Sequence, residues 1–119
     1  MVPTPHVECS FLIPVRRDRN LSDGDLHSID AWNWLRGQLY DWFAGHTLAP
    51  GLYAGVYKDP DTGRPVSDQS RRYIVAVPED RIDDLRNLLR AACEHFAQKG
   101  IYLSIAGRVE FIGPELDEP

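Results

Sequence analysis

The chain has few of the residues that make chemistry easy to read. Its 119 residues include two cysteines, Cys9 and Cys93, and one methionine. Two thiols are too few for a multi-bridge disulfide scaffold or a four-cysteine zinc site. Both fall at apolar positions, so we expect two buried free thiols in a reducing compartment. No apolar run approaches the roughly 20 residues that cross a bilayer, and Met1-Val2-Pro3-Thr4-Pro5 lacks a signal-peptide core. The expectation is a cytoplasmic protein without membrane contacts. Positive charge is in deficit, with 13 Lys and Arg against 18 Asp and Glu, for a net charge of -5. Such a chain is not steered toward phosphate backbones, which makes nucleic acid an unexpected partner. There is no Gly-rich phosphate loop, nucleophile elbow or pair of metal-spaced histidines. His6, His27, His46 and His95 are scattered, and neither a metal nor a cofactor is expected.

What is present is a good core. Hydrophobic residues make up 43% of the chain, which suits one domain over residues 1–119, with frayed ends at 1–5 and 114–119. The strongest signal runs from Glu79 to Ile105. Ile82, Leu85, Leu88, Leu89, Ala92, Cys93 and Phe96 recur at helical spacing and form one apolar stripe. Asp80 is placed to cap that helix and Gly100 to end it. Ile101 to Ile105 then alternates as a strand. Ser28 is placed to cap an earlier helix that ends near Gly45, with Ile29, Trp32, Leu35, Leu39, Trp42 and Phe43 as its buried stripe. Val7, Cys9, Phe11, Ile13 and Val15 mark the core face of a first strand.

Pro60-Asp61-Thr62-Gly63 reads as a hairpin turn between strands at 51–59 and 64–77. Its register sets Tyr57 opposite Val66, Gly55 opposite Asp68 and Tyr53 opposite Ser70. On that register Leu52, Ala54 and Val56 should face the helices along with Tyr73, Val75 and Val77. Arg108 to Ile112 either extends the last strand or forms a short extra one. The order strand, helix, strand, strand, helix, strand resembles the ferredoxin-like superfold. That resemblance implies an α+β βαββαβ two-layer sandwich, with a four-stranded antiparallel sheet, strands one and three central, and both helices on one face. It implies no function.

Two polar stretches invite a metal reading. Asp18, Asp23, Asp25 and His27 lie in the connection 16–27, and Asp59-x-Asp61-x-Gly63 is similar to the start of a calcium loop. Neither has a complete ligand spacing, and both are expected to be plain solvated loops.

The open face of the sheet is the candidate functional surface. Its ligand or interface candidates are Glu8, Ser10, Tyr53, Tyr57, Asp68, Arg72, Ile74 and Tyr102. Tyrosine, arginine and small residues suit a face that meets a partner. The leading expectation is a non-catalytic domain that forms a homodimer through this face. The alternative is a small-molecule-binding domain or minor enzyme that uses the same face as a pocket wall, with carboxylates and phenols for acid-base work. An RNA-recognition sheet is disfavoured, because the central open-face positions Ser10, Leu12 and Ile74 are not aromatic.

Overall fold

Alternation in His6–Pro14 and Pro65–Pro78 builds the two long central strands of the sheet. The computed structural model describes residues 4–115, so the frayed ends expected at 1–5 and 114–119 lie mostly outside the described residues. The elements are β1 (His6–Pro14), α1 (Ile29–Phe43), β2 (Thr47–Leu48), β3 (Tyr53–Lys58), β4 (Pro65–Pro78), α2 (Ile82–His95), β5 (Ile101–Ile105) and β6 (Arg108–Ile112). All strand pairs are antiparallel. Cα partners Phe11 and Tyr73, Phe11 and Leu103, and Cys9 and Val75 point the same way. This face meets Trp32, Leu35 and Leu39 of α1 and Leu85, Leu88, Leu89, Ala92 and Cys93 of α2 in one core. Phe11 stacks on Tyr73 with ring centroids 5.4 Å apart.

Among the described residues the result is a mixed α+β fold with an antiparallel sheet and two helices, but the sheet has six strands rather than four. Their order is β2-β4-β1-β5-β6, with β3 also paired to β4. One addition is β6. Ala106 and Gly107 both have positive φ, 49° and 86°, and turn Ile105 directly back to Arg108, as in the primed two-residue hairpins. The other is β2, which lies in what reads as a loop and pairs Thr47 with Ile74 and Leu48 with Tyr73.

These two residues change where the hairpin goes. The expected register is observed: Tyr57 faces Val66, Gly55 faces Asp68 and Tyr53 faces Ser70. But β2 occupies the edge of β4 at Tyr73 and Ile74, so β3 pairs only along Pro65–Ser70. There the hairpin forms an arm that extends past the helices. Leu52 and Val56, expected to face the helices, are therefore 52% and 70% exposed.

Other local expectations need correction. Ile29 and Trp42 are 69% and 46% exposed, because only Trp32, Leu35 and Leu39 in the middle of α1 are sealed against the sheet. Asp80 does not cap α2; it lies in a 3₁₀ turn over Glu79–Arg81 that feeds the helix. Neither Gly45 nor Gly100 supplies the left-handed helix end. Ala44 (φ 63°) and Ala97 (φ 47°) do so. Ser28 does cap α1, accepting the Ala31 amide at 3.3 Å. Both thiols are free and buried, and burial pushes Cys93 up to about 11.

Candidate functional site

The arm and the body of the sheet enclose a cleft of about 570 Å³, within the range of small-molecule sites. Tyr57 and Asp68 line it from the arm, and Leu12, Tyr102 and Phe111 from the sheet. Residues Gln98–Gly100, between α2 and β5, close one end. Strand pairing explains the grouping. Tyr57, Gly55 and Asp68 share a face on the arm, while Leu12 pairs with Tyr102 and Tyr102 with Phe111 on the continuing sheet. Tyr102 and Phe111 meet edge to face at 5.8 Å. Gly55 leaves room for the carboxylate: a Cβ there would stand 3.3 Å from Asp68 Oδ1.

Electrostatically, Asp68 stands out. Burial pushes its carboxyl above the usual carboxylate range, and no cation offsets the shift. Among the described residues it has no ion-pair partner. Burial also raises Tyr57, with further contributions from the negative charges of Asp18, Asp68 and Asp59. The phenol stays protonated at neutral pH and can donate a hydrogen bond. Two aromatic side chains, a protonated phenol and an uncompensated carboxylate suit a cationic or hydroxyl-bearing aromatic ligand.

Of the sequence candidates, Tyr57, Asp68 and Tyr102 come together in this cleft. The others do not. Tyr53 lies under the Arg72 guanidinium, 5.9 Å from its ring centroid. Ser10 is buried between its strand partners Ile74 and Ser104. Glu8 and Ile74 line a separate depression of about 520 Å³ with His6, His46 and Thr47. Glu8 pairs with Ala76, far along β4 from Asp68; at ~3.3 Å per residue the two carboxylates are roughly 25 Å apart. They cannot share a site.

Sequence reasoning missed Phe111, Gln98, Lys99 and Asn20. Phe111 was accessible in principle, through the Ala106-Gly107 hairpin that aligns it with Tyr102. Lys99 and Asn20 have no local signal, because their partner is Asp59, on a distant turn.

Neither metal reading finds a cation site. Arg17 clasps Asp23 through two bonds of 2.7 and 2.9 Å and holds its carboxyl down to about 2. His27 is buried, with Nε2 2.7 Å from the Pro14 carbonyl. In the calcium-like turn the ammonium of Lys99 bridges Asp59 and Asp61. Among the described residues no three His, Cys, Asp or Glu side chains gather to hold a metal, and no helix is long and apolar enough to cross a membrane.

No family model matches this sequence, and no curated protein does either. Solved structures do match. A phage SAM lyase in complex with S-methyl-5'-thioadenosine aligns with a TM-score of 0.72 at 16% identity, covering 99% of this chain and 97% of the other. A phage SAM lyase in the apo state aligns with a TM-score of 0.54, at the same identity and coverage. At that identity the likeness shows the fold. It also overturns the expectation of a non-catalytic domain, since two solved structures that align with nearly the whole chain are of a phage SAM lyase.

Proposed function

We propose that this chain is a SAM-degrading lyase, with the cleft between arm and sheet as its active site. SAM is a sulfonium nucleoside. In the proposed reaction the bond between sulfur and the methionyl γ-carbon breaks and its electron pair stays on sulfur, which becomes the neutral thioether of S-methyl-5'-thioadenosine. A lyase adds no water. The electron pair that the carbon loses is replaced from within the substrate, either by its own carboxylate oxygen, which closes a lactone, or by a neighbouring C–H bond, which becomes the second bond of an alkene as its proton passes to water.

The chain's own residues have three tasks in this reading. Tyr102 and Phe111, both exposed in the free protein, present aromatic surface to the nucleoside. Tyr57 donates a hydrogen bond from its phenol. Asp68 binds the substrate's ammonium group, which the thioether product lacks.

The observation that carries the reading is Asp68, a half-buried carboxylate with no ion-pair partner among the described residues, on the wall of an aromatic cleft. The likeness to a lyase complexed with S-methyl-5'-thioadenosine supports it. Pairing of two copies through the open face has no part in this reading.

The test is chromatography for S-methyl-5'-thioadenosine after incubation with SAM, together with calorimetric titration of each. Wild type should form the thioether. Asp68→Asn removes one charged hydrogen bond of about 1.5–3 kcal/mol, so KM for SAM should rise by about 10- to 100-fold. Affinity for the neutral thioether should change by less than about threefold, because it lacks the ammonium. Absence of both turnover and binding in the wild type would remove the proposal.

A further inference from the structure

Asp59 is an unusual turn residue, since its side chain is only 1% exposed. A turn aspartate needs only the local amide that Asp61 supplies at 2.8 Å. Asp59 is also held from two distant segments. Asn20 Nδ2 donates to it at 2.6 Å and Lys99 Nζ at 3.1 Å. The segments that hold it are themselves joined, with the Asp18 amide on the Ala97 carbonyl at 3.0 Å and Gln98 Nε2 on the Arg16 carbonyl at 2.8 Å. Asp59 follows β3 directly, and Lys99 lines the end of the cleft.

The arm needs such a hold. β3 has one strand partner and is exposed along its whole length, and an isolated two-stranded ribbon is marginal in water. We propose that Asp59 is a positioning residue: held by Lys99 and Asn20, it locks the β3–β4 arm to the body and sets the gap between Tyr57 and Asp68 on one wall and Tyr102 and Phe111 on the other. The importance of that gap rests on the ligand reading above; the lock does not. A displacement of about 1 Å in positioned groups can cost about 10²-fold in rate, so the lock governs the site without touching the ligand.

The experiment is hydrogen–deuterium exchange read by mass spectrometry, alongside titration with S-methyl-5'-thioadenosine. Asp59→Asn keeps an acceptor for the turn amide and removes the buried one of the two charges that Lys99 grips, leaving only the exposed Asp61. Amides of residues 53–58 should exchange about tenfold faster while those of β1 and α2 are unchanged, as expected of a local opening. Affinity for the thioether should fall by about tenfold. Lys99→Arg, which keeps the charge across the gap, should retain most of the protection that Lys99→Met loses. Unchanged exchange in 53–58, or acceleration spread evenly over β1 and α2, overturns the proposal. If Asp59→Asn does not fold, Lys99→Met decides on the same readouts. If the wild type does not bind the thioether, the ligand reading fails, and the exchange pattern still decides the lock.

Discussion

Ala106 shows how a single residue can work against its surroundings. It takes φ 49° beside Gly107 at φ 86°, a conformation that costs an ordinary L-residue roughly 1–2 kcal/mol. The strands impose it, because Ile105 and Arg108 pair across only two intervening residues. Asparagine tolerates that backbone better and is favoured ahead of glycine in such turns. Ala106→Asn should stabilise the fold by about 0.5–1 kcal/mol, read as a higher denaturation midpoint at unchanged slope. A lowered midpoint would mean that this turn is not the one in solution. Gln98 is a contrasting case, a buried polar side chain whose amide serves the carbonyls of both Arg16 and Phe96 at 2.8 Å. Few buried polar groups go unpartnered, and here the pairing secures one end of the cleft.

At the scale of elements, α2 holds the molecule together on both sides. Its apolar stripe fills the core, and Arg86 on its polar side forks onto Glu110 of β6 at 2.9 and 2.6 Å. That bidentate contact fixes the added β6, and with it Phe111 at the cleft. Leu89 is fully buried in the stripe. Leu89→Ala should cost about 2–5 kcal/mol, measured by chemical denaturation, and an unchanged midpoint would mean that the stripe is misplaced. The arm is the opposite kind of element. It contributes little to the core and carries two of the side chains assigned to the cleft.

For the whole molecule, the cleft should trade stability for function. The folded protein holds Asp68 above its ordinary pKa because burial penalises the charge. A carboxyl raised on folding contributes stability below its unfolded pKa, near 3.9, and loses it as pH rises through the folded value. At neutral pH the charged group opposes folding. Asp68→Asn should therefore raise the thermal midpoint at pH 7 relative to wild type, by an amount that shrinks as pH falls toward 4. The same substitution should weaken SAM turnover. A variant less stable than wild type at pH 7 would mean that Asp68 has a cationic partner in the free protein. In the pH profile of kcat/KM, which reports the free enzyme, the acid limb should lie above the usual carboxylate range.

The sequence by itself determined what depends on short-range periodicity. Alternation along β1, β4 and β5, helical spacing in α2, the Ser28 cap and the turn at 60–63 are written in neighbouring residues, and so is the hairpin register that brings Gly55 opposite Asp68. Only the tertiary structure decided which half of β4 the helices cover. That depends on where α1 returns the chain and on two residues of β2 taking the edge, and a two-residue strand has no period to read. The displacement turned an expected open face into an arm with a cleft beneath it. It separated Glu8 from Asp68, left Tyr57, Asp68 and Tyr102 together, and enlisted Lys99 and Asn20 through contacts about 40 residues distant in the chain.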